Sequence, residues 1–121
     1  MRKILILTVI MSSLYAAAEV TCTGLDTATY VDAKVEVKSH KNNEEVIKLS
    51  SSLVDIDGPV FTALVSVNSD SGEALAIIGH KNSVKSHTEF YLLKGQKYMS
   101  SFMADSEAVP AVTFQINCEN K

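Results

Sequence analysis

Cys22 and Cys118 are the only cysteines of the chain and stand near its two ends, so their pairing state decides whether the fold must bring its first and last segments together. Compartment bears on that question, because disulfides persist where the surroundings are oxidising. The chain opens with Arg2 and Lys3, runs through an apolar stretch from Ile4 to Leu14, and reaches the small residues Ala16, Ala17 and Ala18. A positive start, an apolar centre and a small-x-small site make a secretory signal. Ala16 and Ala18 occupy the two small positions, which places the cut between Ala18 and Glu19. Ser12 and Ser13 interrupt the apolar run, which falls short of the roughly 20 residues a membrane-spanning helix needs. Glu19, Val20 and Thr21 ahead of Cys22 do not make a lipidation box, so no stable membrane insertion is expected after cleavage. The expectation is an exported protein, periplasmic or secreted, with residues 1–18 as signal peptide and residues 19–121 as a single all-β domain. Export makes a Cys22–Cys118 disulfide the expected pairing. Without Cys-x-x-Cys spacing, its role is structural.

About 100 residues remain beyond the cut, enough for one domain with a core but too few for two. Arg2 and Lys3 leave with the signal while all 14 acidic residues stay, so the 11 basic residues fall to nine and the mature charge is −5. The remaining lysines are scattered among acids. Such a surface lacks the electrostatic footprint of a nucleic-acid binder.

Periodicity then sets the fold class. Val31, Ala33, Val35 and Val37 alternate with Asp32, Lys34, Glu36 and Lys38, the pattern of a half-buried strand. Lys41, Asn42 and Asn43 read as a turn, because Asn tolerates left-handed backbone. Strand signal resumes at Val46 to Leu49 and at Leu53 to Ile56, and the apolar parity shifts across Ser50, Ser51 and Ser52, which predicts a bulge or a bend between sheets. Val60 to Val67 and Ala74 to Ile78 are apolar at nearly every position and read as central strands of one hairpin. Lys81, Asn82 and Ser83 turn the chain into an alternating strand from Val84 to Leu93, followed by Lys97 to Met103 and Val109 to Cys118. Val112, Phe114, Ile116 and Cys118 share a face, so the bridge is expected on the core side, joining first and last strands. The expected fold is a small antiparallel β-sandwich or closed β-barrel of about seven to eight strands. Phe61, Phe90, Phe102 and Phe114 are its candidate large core residues.

Candidate chemistry is sparse. His80 and His87 draw attention because a turn centred on Asn82 and Ser83 would pair His80 with Lys85 and set His87 diagonally on the same face, roughly 7 to 8 Å away. Two exposed polar residues near a hairpin tip are the commoner meaning, since a zinc site needs more ligands than this pair assembles. His40 reads as a turn-flanking residue. No Gly-x-Ser-x-Gly motif accompanies the many serines. Glu44 with Glu45, and Asp55 with Asp57, read as solvated surface rather than an acid–base pair or calcium loop. No catalytic residue, metal site or cofactor is expected.

The signal peptide, a cysteine near each end of the mature chain, and the run Phe90, Tyr91, Leu92, Leu93, Lys94, Gly95 resemble the membrane-bound or periplasmic C-type lysozyme inhibitors. The resemblance implies a small β-barrel with a terminal disulfide and an inhibitory contact through Tyr91 and Lys94. From the residues themselves the expectation is a monomeric, non-enzymatic binding domain of the cell envelope or exterior. Its partner is an unspecified protein or envelope ligand, contacted through surface residues such as His80, His87, Tyr91 and Lys94. An inhibitor of a wall-degrading hydrolase is the alternative, and a small hydrolytic enzyme is an alternative of another class. The signal assignment makes one direct prediction. Intact-mass measurement of exported protein should find Glu19 as the first residue, and retention of Met1 would overturn it.

Overall fold

A computed structural model of the chain describes residues 20–41, 43–81, 83–104 and 111–121. The expected signal segment and cleavage site, Asn42, Asn82 and the expected strand start at Val109 lie outside the described residues. The described chain is all β. Its strands are β1 (Val20–Asp26), β2 (Lys34–Lys41), β3 (Glu44–Ser50), β4 (Val54–Asp55), β5 (Gly58–Pro59), β6 (Phe61–Asn68), β7 (Glu73–His80), β8 (Ser83–Tyr91), β9 (Lys97–Ala104) and β10 (Val112–Asn120).

These strands form a three-stranded sheet in the order β1-β10-β9, a five-stranded sheet in the order β2-β3-β6-β7-β8, and the two-residue hairpin β4-β5. Every pairing is antiparallel. None of the sheets closes, so the closed-barrel alternative gives way to an open sandwich. Alternation explains the two layers, since successive side chains on a strand point to opposite faces. Phe61, Ala63, Val65 and Val67 of β6 bury inward, as do Val112, Phe114, Ile116 and Cys118 of β10. The layers meet through aromatic rings: Phe61 and Phe114 stack with centroids 5.4 Å apart, and Phe90 stacks on Tyr98 at 3.7 Å. Truncating a buried phenylalanine of this kind costs about 3 to 5 kcal/mol. Close approach at β1 is permitted by Gly24, where an added Cβ would lie 3.1 to 3.2 Å from Ala33, Leu49 and Phe114.

Two sequence expectations are corrected. The stretch from Val31 to Lys38 is not a half-buried strand, for only Ala33 is buried there, while Val35 and Val37 are 43% and 58% exposed. Val35 lies opposite Leu49 and Val37 opposite Ile47, so both point to the core side. β2 is an edge strand of the five-stranded sheet, and its core-side valines are left partly uncovered. Alternation reports which face a residue takes, not whether another layer covers it. Likewise, the strand expected from Leu53 to Ile56 shrinks to Val54–Asp55 in a protruding hairpin. The serines cause the departure. Ser51, which is buried, donates its hydroxyl to the Leu53 carbonyl at 2.8 Å and accepts the Phe61 amide at 3.1 Å, closing a loop where a ladder would otherwise continue.

That loop rests on Asp26, which is fully buried at the end of β1. Its carboxylate accepts the amides of Ala28 (3.0 Å), Thr29 (2.6 Å) and Leu53 (3.3 Å) and the Thr29 hydroxyl (2.9 Å). A buried carboxylate is tolerable only when bonded in this way. The first two amides are the Asx-turn pattern of Asp at a turn start.

Cys22 and Cys118 form the expected disulfide, on directly opposed positions of β1 and β10 and on the core side. In the chain-entropy model, a link closing about 100 residues stabilises a fold by up to about 4.7 kcal/mol. Reduction should therefore remove about 3 to 5 kcal/mol and lower the melting temperature by tens of degrees. Calorimetry with and without reductant, together with non-reducing peptide mapping, checks this. Free thiols in the native protein would contradict it.

Candidate functional site

The β7-β8 hairpin carries the residues that the sequence singles out, and its register decides where they point. Ile77 lies opposite His87, Leu75 opposite Glu89 and Glu73 opposite Tyr91, which puts all six on the outer face of the five-stranded sheet. Towards the turn the register shifts between Ile78 and Gly79, and His80 pairs with Ser83 rather than with Lys85. The two histidines consequently part company. His87 is exposed on the outer face, whereas the His80 ring turns inward, 5.2 Å from Phe61 and 6.4 Å from Phe102. A shared metal between them is therefore ruled out by geometry. Among the described residues, no group of three His, Cys, Asp or Glu side chains could hold a metal ion.

Tyr91 ends β8 and is 68% exposed. Immediately after it the chain dives: Leu92 is buried and its amide donates to the Gly72 carbonyl at 2.7 Å. A tight turn follows, in which the Gln96 amide donates to the Leu93 carbonyl at 2.9 Å and Gly95 takes a φ of 85°. Lys94 is exposed on that turn. The structure thus sets His87 and Tyr91 on one sheet face, puts Lys94 on the adjoining turn, and turns the partly buried His80 to the opposite, inner face.

Sequence reasoning missed the company Tyr91 keeps. A groove of about 550 Å³ on the outer face is lined by Glu44, Ser66, Glu73, Leu75, Glu89 and Tyr91, with Ala74 and Phe90. Its apolar part is Leu75 and the Tyr91 ring, and its polar part is three carboxylates drawn from β3, β7 and β8. Glu73 and Glu89 are diagonal neighbours, roughly 7 to 8 Å apart across the hairpin. Like charges at that spacing repel, so a cation entering the groove relieves repulsion as well as gaining attraction. Glu44 belongs to the groove while its sequence neighbour Glu45 does not, because they face opposite sides of β3. Glu45 is buried, accepting the Val20 amide at 3.3 Å and lying 3.4 Å from His40 Nδ1, which corrects the expectation of a solvated pair. As a pair of adjacent acids the two glutamates look alike, and only their parity against Ile47 and Leu49 separates them. The strict alternation of β3 was the usable signal.

No protein-family model, curated protein or solved structure matches this chain. The site is therefore read from its chemistry alone.

His80 offers a test of the register. Its Nε2 is buried without a hydrogen-bond partner, and burial, then the charges of Lys81 and Lys85, push its pKa below the ordinary 6.5. A lowered folded value means that the unfolded chain binds the proton more readily, so stability is lost as pH falls below about 6.5. His80→Gln should flatten this loss between pH 7 and pH 5, whereas His87→Gln should leave it in place. Thermal melts across that range check the difference.

Proposed function

We propose that the protein is an exported, non-enzymatic binding domain that recognises a cationic segment of a partner through the outer face of its five-stranded sheet. The observation that carries this reading is the groove beside Tyr91, where an exposed aromatic ring and Leu75 are flanked by Glu44, Glu73 and Glu89. An aromatic face attracts an Arg or Lys head by about 0.5 to 2 kcal/mol, and neighbouring carboxylates add charge-assisted hydrogen bonds. A sheet is also a rigid platform, and this one is backed by a close-packed second layer. The disulfide supports the exported part of the reading, since such a bond is kept in an oxidising compartment.

A second reading, inhibition of a wall-degrading hydrolase, draws support from the exposure of Tyr91 and of Lys94 on the turn that follows it. Both readings place Tyr91 at the contact. They differ in the charge they need, because the groove requires its carboxylates and the inhibitory contact requires Lys94.

Crosslinked capture from envelope extract, followed by binding measurements on the recovered partner, separates them. Tyr91→Ala should weaken capture under either reading. Glu73→Lys combined with Glu89→Lys should weaken it at least about tenfold if the groove binds a cation, with wild-type affinity falling as salt is raised. Lys94→Ala should instead be the damaging change for a hydrolase inhibitor, read as restored lysis of cell walls. Capture that ignores Tyr91→Ala and the glutamate changes alike would overturn the groove reading. Met99→Ala, on the other sheet, is the control.

A further inference from the structure

The same outer face carries a second depression with different chemistry, and the molecule also carries a shape that fits it. The hairpin β4-β5 lies at the end of the sandwich with Ile56 at its tip, and Ile56 is 98% exposed, the most exposed large apolar residue among the described residues. The tip is held rigidly. The Asp57 amide donates to Asp55 Oδ1 at 2.9 Å, Gly58 takes a φ of 116° that other residues avoid, and Lys81 lies 3.7 Å from the Asp55 carboxylate. Below it, the Val60 amide donates to the Leu53 carbonyl at 2.9 Å, and Leu53 itself is tied to buried Asp26. An apolar side chain presented on a braced convex tip, between two aspartates, calls for a concave apolar surface edged with positive charge.

Such a surface lies on the outer face of the five-stranded sheet. A groove of about 380 Å³ is lined by Leu64, Ile77, Val84, Thr62, Gly79 and Lys48. Leu64 is 40% and Val84 67% exposed. Lys48 stands beside Leu64 in the register, and exposed Lys85 follows Val84. The carboxylates of the Tyr91 groove lie at the other end of the face. Gly79 and Val84 flank the turn that holds Lys81, so the apolar groove and the Ile56 tip share one end of the molecule.

We infer that the Ile56 tip of one copy inserts into the Leu64–Ile77–Val84 groove of a second copy, with Asp55 and Asp57 facing Lys48 and Lys85 across the contact. Because tip and groove adjoin, a two-fold axis lets each copy give a tip and receive one, which doubles the contact and closes the assembly as a dimer. A single insertion without that symmetry would propagate as an open chain. Hydrogen bonds from Ser51 and Asp26 fix the hairpin at its base, which holds the tip clear of its own groove.

Sedimentation velocity on the purified, oxidised protein tests the inference across a concentration series. Wild type should show a reversible monomer–dimer equilibrium. Ile56→Asp and Leu64→Asp should each weaken it by about tenfold or more, and melting temperatures near that of wild type would show both variants folded. The decisive arm is the mixture. Ile56→Asp keeps its groove and Leu64→Asp keeps its tip, so an equimolar mixture retains one of the two insertions and should associate more tightly than either variant alone, though more weakly than wild type. Wild type that stays monomeric at every concentration would overturn the inference and leave the tip to a foreign partner. Association unaffected by Ile56→Asp, or variants that fail to complement, would overturn it equally. Tyr91→Ala should not alter the dimer, so this result and the fate of the partner-binding reading are separable.

Discussion

The pairing of the first strand with the last is the constraint on which the remaining structure depends. β1 runs antiparallel to β10 over seven residue pairs, and the Cys22–Cys118 bond locks the third of them. Without β1, the three-stranded sheet would be a lone β9-β10 hairpin, and a two-stranded ribbon is marginal in water. The roof over β3, β6 and β7 would then be lost. Joining segments so far apart in sequence carries a loop-closure cost before any contact rewards it, and the covalent link removes much of that cost from the unfolded state. β1 also brings Asp26 to the end of the sandwich, so the same pairing positions the carboxylate that braces the loops there.

The mismatch between a three-stranded and a five-stranded layer gives the molecule its surface character. The narrower sheet leaves the edge strand β2 partly unroofed, exposing Val35 and Val37 on what should be a core face. Lysines on β2 and a register shift between Val37 and Ser39 interrupt that edge, features that oppose strand-to-strand aggregation. On its outer side the broad sheet is divided by charge: carboxylates gather around Tyr91, while Lys48 and Lys85 border the apolar depression toward the Ile56 tip. One platform thus presents two chemically distinct surfaces. Their separation follows from register, since these residues come from alternate positions on β3, β6, β7 and β8, with Lys85 at the register shift next to Val84.

Two glutamates that adjoin in sequence show how alternation distributes roles. Glu44 faces solvent at the groove, whereas Glu45 is buried, holding the Val20 amide and standing beside His40. A buried carboxylate next to the first described strand ties the chain's start to the wide sheet at the end opposite Asp26. The two acids therefore pin β1 at both of its ends.

Much of this fold was legible in the residues as a string. The all-β class followed from period-two alternation, the disulfide from two cysteines in a chain expected to be exported, and the inward set of β10 from Val112, Phe114, Ile116 and Cys118. These are local properties, decided by side-chain parity and by redox chemistry. What tertiary structure decided was everything that depends on a second layer or on exact register. Alternation alone does not reveal that Val35 and Val37 on β2 stay exposed, because coverage is a property of the opposing sheet. Nor does it disclose that a one-residue register shift between β7 and β8 puts His80 and His87 on opposite faces of the sheet. The groove beside Tyr91 draws Glu44, Glu73 and Glu89 from three strands, and the Ile56 tip depends on Ser51 ending a ladder that the apolar pattern would have continued. Such sites exist only once strands far apart in sequence lie side by side, because the distances that create them are set by the sheet and not by the chain.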